Sequence, residues 1–346
     1  MENNVQSKPK KRNVGIFLVP VVLLLALALV FVAGMIKDNK IKDMKNAPAA
    51  VATDKSLVMP LGNGKYSFSG PMQGGPYFCQ SVKKVFNGIG AQATGPWIDE
   101  ANGVWYPLSR AVVDGANYWP DAYVRFTAEG DIRKIETNNV PFDDAIRNDA
   151  TGNFPVEKTD DAYQYDRNPN SIEPRAVTWE IPRYPKIADK PSCVPLQNVG
   201  YGINGIAFFA ATDGQARDPA YEVSDACQGH PDPSHAYHYH IIAGNECLGL
   251  AESQNPDKQP KLVGYALDGF GIYSQYENGK ELFSKDLDEC HGKTSEVMWE
   301  ENKVTMYHYV VTRDYPYVVG CFKGSIIDSP VNQKTRQELR MPALGA

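Results

Sequence analysis

All six histidines of this 346-residue chain fall between His230 and His308. Imidazole is the commonest zinc and copper ligand and changes charge near neutral pH, so the clustering points to metal or proton chemistry. The densest stretch is His235-Ala236-Tyr237-His238-Tyr239-His240. On a strand alternate residues share a face, so His238 and His240 point one way and Tyr237 and Tyr239 the other. Two imidazoles about 7 Å apart along a strand can chelate one ion. His308 lies in a second triplet, Tyr307-His308-Tyr309. If the triplets face each other, His238, His240 and His308 form a three-nitrogen site. Three nitrogens with one open position suit zinc or copper. His230 is the candidate fourth ligand, and His235, His291 and Asp268 are secondary candidates near the same strands. The competing reading is structural: a His between two Tyr can hydrogen-bond across a sheet, and Asp268 can serve its Asp-Gly turn.

The elements that must position these residues form an internal repeat. Val199-Gly200-Tyr201-Gly202-Ile203-Asn204-Gly205-Ile206 is matched by Val263-Gly264-Tyr265-Ala266-Leu267-Asp268-Gly269-Phe270. Asp225-Ala226-Cys227-Gln228-Gly229 is matched by Asp288-Glu289-Cys290-His291-Gly292, and each copy then carries its Tyr-His-Tyr triplet and another cysteine, Cys247 or Cys321. The copies span about 199–247 and 263–321. Each reads as strand, tight Asn-Gly or Asp-Gly turn, strand, loop, strand. Two half-units about a pseudo-twofold axis follow.

The repeat also proposes a disulfide plan. Cys227 pairs with Cys247 and Cys290 with Cys321 if the copies share a design, which leaves Cys79 with Cys193. A cross-copy bridge such as Cys227–Cys290 is the alternative. No Cys-x-x-Cys pair suggests thiolate metal ligation instead.

Val14 to Ile36 is uncharged for 23 residues, long enough to cross a bilayer and longer than the usual apolar core of a signal peptide. Lys8, Lys10, Lys11 and Arg12 precede it, which favours a cytoplasmic N-terminus and an extracytoplasmic remainder, periplasmic or at the cell surface. The expected organisation is a tail at 1–13, a membrane anchor at 14–36, a tether at 37–60, a β-rich part at 61–137, the repeat-bearing domain at 138–330 and a C-terminal tail at 331–346. The whole chain carries a net charge of −6. Residues 1–45 hold 8 of the 35 basic and 3 of the 41 acidic residues, so the remainder is −11. Such a charge argues against nucleic acid as a partner. An even cysteine count beyond the anchor fits an oxidising compartment.

The 29 Gly, 25 Pro and 19 Tyr favour turns and strands. Ala122–Thr137 alternates about Glu129-Gly130 as a hairpin would. The fold class expected is mainly β, a sandwich-like domain with the internal repeat, behind one transmembrane helix. No nucleophile elbow, phosphate loop or His-Glu-x-x-His is present, so serine hydrolase, nucleotide and zinc-protease chemistry lack their signatures.

Cys227-Gln228-Gly229-His230-Pro231 with Tyr237-His238-Tyr239-His240 resembles the YHYH domain, as do Gly264–Tyr273, Leu287–Cys290 and Tyr315–Cys321. The resemblance runs from about 138 to 325. It implies a secreted or membrane-anchored protein and no particular reaction. The second copy departs from the tetrapeptide: it reads Tyr307-His308-Tyr309-Val310, so the equivalent of His240 is missing and any site is asymmetric. Three functions remain in view. The first is a membrane-anchored extracytoplasmic protein binding copper or zinc. The second is a surface module binding a glycan or a protein partner, with the His/Tyr motif structural. The third is a metal-dependent enzyme using the open position on water or dioxygen, with an unknown small molecule as partner.

Overall fold

A computed structural model describes residues 54–82, 90–115, 119–141 and 153–341. The expected span Val14–Ile36, its flanking tail and most of the tether lie outside the described residues. Among the described residues no helix is long and apolar enough to cross a membrane.

The described chain is mainly β. β1 (Met59–Pro60), β2 (Ile98–Asp99) and β3 (Val104–Trp105) form a small sheet, so the end of the expected tether is already paired structure. β4 (Val124–Glu129) and β5 (Ile132–Thr137) make the hairpin expected about Gly130, and β6 (Val177–Pro182) pairs with β5. That sheet runs across the 137/138 boundary drawn from the sequence. β7 (Ile187–Ser192) follows. Then come β8 (Asn198–Gly202), β9 (Ala207–Phe209), β10 (Gly229–Pro231), β11 (Tyr237–Tyr239), β12 (Leu262–Ala266) and β13 (Gly271–Tyr273). β14 (Tyr276–Glu277) and β15 (Lys280–Glu281) form a short hairpin, β16 (Gly292–Trp299) and β17 (Asn302–Val310) a long one. β18 (Phe322–Gly324) returns to pair with β7. α1 (Pro330–Glu338) takes in the first half of the expected tail. Its Asn332 exchanges hydrogen bonds with the Glu180 backbone, and Thr335 donates to the Thr178 carbonyl, which fixes it to β6.

The principal sheet has eight strands in the order β10-β11-β9-β8-β12-β13-β17-β16. Read outward from the antiparallel β8–β12 seam, the two halves are the same: an antiparallel hairpin, a parallel neighbour, then an antiparallel outer strand. The hairpins turn at Asn204-Gly205 and Asp268-Gly269, with φ of +83° and +90° at the glycines, as such tight turns require. At the seam a Cβ on Gly200 or Gly264 would collide with the carbonyl of Tyr265 or Tyr201 across the axis. The glycines let the copies close on each other.

The β4–β5–β6 sheet lies against this seam. Phe126 packs on Tyr265 at 5.5 Å between ring centroids, Trp179 donates to the Tyr201 hydroxyl at 3.0 Å, and Thr137 donates to the Gly205 carbonyl at 2.9 Å. Val199, Ile206, Phe208, Val263 and Ile272 are fully buried in the core. Three disulfides, Cys79–Cys193, Cys227–Cys247 and Cys290–Cys321, follow the repeat-based plan. The cross-copy alternative is not formed.

Candidate metal centre

The Tyr237-His238-Tyr239 strand is placed by its tyrosines. Tyr237 donates to the Asp225 carboxylate at 2.7 Å, and Asp225 also accepts the Cys227 and Gly229 amides. The Tyr239 hydroxyl accepts from Asn204 at 3.2 Å. With the phenol rings turned into the core, alternation sends the imidazoles to the opposite face. β10 and β11 pair so that His230 lies directly across from His238, which puts both on that face with His240 two residues on. Asp232 holds the connecting turn by accepting the Ser234 and Ala236 amides.

The result is a buried triad. The Nε2 atoms of His230 and His238 are 3.1 Å apart, as are those of His238 and His240, and ligand atoms of all three lie within 4.8 Å of one another. Each Nδ1 meets a backbone carbonyl: His230 with Val223 at 3.0 Å, His238 with Ala236 at 3.0 Å, His240 with Ala210 at 2.7 Å. A carbonyl only accepts, so each Nδ1 carries the proton and each Nε2 of a neutral ring presents a lone pair. Burial keeps the rings neutral: it pushes His230 down to about 4 and His240 to about 3, and lowers His238 well below its usual value. Three lone pairs thus converge on a point where a cation would relieve their repulsion. Metal–nitrogen bonds of about 2.0–2.1 Å at tetrahedral angles set nitrogens about 3.3–3.4 Å apart, close to the spacing of the His230–His238 and His238–His240 pairs. The buried triad could hold a metal ion.

Two residues without any sequence signal complete the site. Phe209, the last residue of β9, stacks on His238 with centroids 3.9 Å apart. Glu222 places Oε2 3.7 Å from His230 Nε2 and 4.0 Å from His240 Nε2, and that buried oxygen accepts no hydrogen bond. Burial, with Asp213 and Asp166 nearby, pushes its carboxyl well above the usual carboxylate range. An orphaned carboxylate beside three imidazoles offers charge compensation to a cation. Glu222 has no counterpart in the repeat, where Lys285 takes its place three residues before Asp288, so comparing the copies could not have found it. The triad and Glu222 open on a cavity of about 370 Å3.

His308 is not part of this centre. The twofold relation puts β8 and β12 at the seam and the triplet strands β11 and β17 toward the flanks, five strand spacings apart. At about 4.8 Å per spacing that is about 24 Å, far beyond shared ligation. His308 Nδ1 meets the Met306 carbonyl at 3.2 Å, and Tyr273 packs edge-on against its ring at 5.1 Å. The register aligns Lys293 with His308 where the first copy aligns His230 with His238. Lys293 is paired with Glu277.

The other candidates serve the fold. Asp268 is fully buried and accepts from the Tyr309 hydroxyl at 2.6 Å and the Gly324 amide at 2.8 Å. Burial raises its carboxyl to about 6. His291 hydrogen-bonds Thr312 Oγ1 at 2.9 Å, and His235 Nδ1 hydrogen-bonds Ser171 Oγ at 3.0 Å in the turn before β11.

Residues 178–282 match the family model described as YHYH protein. The match takes in the whole first copy and the first hairpin of the second, a shorter span than the resemblance suggested. No curated protein and no solved structure matches the chain. The chain carries a YHYH domain, and the buried histidine triad sits inside it.

Proposed function

We propose that this protein is a single-pass membrane protein whose extracytoplasmic YHYH domain binds one copper or zinc ion through His230, His238 and His240. The observation that carries the metal reading is the convergence of three Nε2 atoms whose Nδ1 partners are all backbone carbonyls. Structural histidines share protons with one another or with acceptors, whereas these present only lone pairs to a common point. The anchor reading rests on the uncharged run Val14–Ile36 and the basic residues before it, and membrane lipid is the partner it implies. The three disulfides support an oxidising compartment.

The test is elemental analysis of the protein purified without chelators. One equivalent of copper or zinc per chain is expected, together with a rise in melting temperature on metal addition to stripped protein. Absence of both sinks the proposal.

A further inference from the structure

A three-histidine centre leaves a coordination position open, and what can reach it depends on the space in front of it. All three rings line the cavity of about 370 Å3, which is at the small end of ligand pockets. A second void, about 10 Å3, borders His230, His240 and Arg110 and admits at most one water. Any larger ligand therefore approaches from the main cavity.

The walls of that cavity are chemically sorted. Leu196, Phe209 and Met341 give it an apolar side. Its aspartates are already committed. Asp213 accepts the Gln215 and Arg217 amides and pairs with the Arg217 guanidinium at 2.9 Å. Asp232 is engaged by its own turn. Arg340 is exposed at the cavity and makes no ion pair among the described residues. With Asp213 neutralised by Arg217, a divalent metal on the triad and Arg340 set three positive charges against Glu222 and Asp232, which leaves the cavity net positive even with both carboxylates ionised. Positive charge at the floor and rim, beside an apolar wall, selects an anion with an apolar body.

We propose that the cavity binds a small organic carboxylate, its head group on the open metal position and its body against Leu196, Phe209 and Met341. The proposal rests on the metal reading above. Carboxylate oxygens are ordinary ligands for zinc and copper, so the head group displaces a weaker ligand without any covalent step.

The test uses the full-length protein in non-ionic detergent, stripped and loaded with Co(II), whose visible spectrum reports its ligands. Acetate and benzoate are titrated separately. Both are expected to shift the spectrum, with benzoate at least tenfold tighter. Arg340→Ala is expected to weaken both severalfold, and Met341→Ser to erode only the benzoate preference. A spectrum that neither anion moves, or equal affinity for the two, overturns the proposal. Failure to take up stoichiometric cobalt overturns the metal reading itself, and the two failures are told apart by the cobalt content.

Discussion

The two copies of the repeat share a backbone and differ in chemistry. Each has the hairpin, the parallel triplet strand, the outer strand and its own disulfide. Each anchors its first triplet tyrosine on the aspartate of the cysteine turn: Tyr237 on Asp225 and Tyr307 on Asp288. Each anchors the second on its hairpin turn, Tyr239 on Asn204 and Tyr309 on Asp268. Even the central imidazole is held alike, with Nδ1 against the carbonyl two residues earlier. The divergence that bears on metal binding lies in the neighbours of that imidazole. Where the first copy has His230, His240 and Glu222, the second has Lys293, Val310 and Lys285. The tyrosines are therefore scaffold, and the site depends on three positions around one shared histidine. Cross-strand from His308 the second copy has Lys293, ion-paired with Glu277, which supplies no imidazole to a metal.

The sharpest way to break this comparison is to remove the shared histidine from each copy in turn. His238→Ala is expected to abolish stoichiometric metal, an affinity loss of at least about 100-fold from losing the central ligand. His308→Ala is expected to leave metal content unchanged. Equal loss in both variants, measured by elemental analysis, would show that the copies cooperate in one site.

A smaller effect separates scaffold from site. Asp225→Asn and Asp288→Asn each weaken an anionic acceptor of a tyrosine and two amides, buried at Asp225 and half-buried at Asp288, costing about 1.5–3 kcal/mol of stability. Melting temperatures should fall comparably in both. Only Asp225→Asn should also lower metal affinity, because Gly229, whose amide it holds, leads into His230.

The smallest effect concerns acid. Burial lowers His230 and His240 to about 4 and about 3, so the ligand form survives as pH falls and protons compete only near those values. Affinity should change by less than about tenfold between pH 7 and 5.5, where exposed histidines with pKa near 6.5 would be largely protonated. Equilibrium dialysis at both pH values checks this. Steep loss by pH 5.5 would place the rings in solvent.

Much of this was legible from the sequence. The repeat set the disulfide partners and the hairpins, because a motif recurring in order fixes equivalent contacts. Alternation placed His238 and His240 on one face. The repeat did not say which strands meet at its axis. With the triplet strands central, His308 would have joined the site; with β8 and β12 central it cannot, and seam glycines at 200 and 264 were the residues that decided it. The pairing of His230 with His238 depends on a turn held by Asp232, an ordinary loop residue to the eye. Glu222 follows a short 3₁₀ turn, Pro219–Tyr221, and reaches the histidines through tertiary packing that no spacing records.

The Cys227–Cys247 bridge closes a covalent ring, and His230, His238 and His240 all lie within it. A protease that cuts the exposed turn at Pro233-Ser234 leaves both arms of the β10–β11 hairpin tied to the same ring. In an extracytoplasmic setting the ligand set would outlast a nick that would otherwise divide it into two chains. Reduction would then be needed before cleavage could separate His230 from His238 and His240.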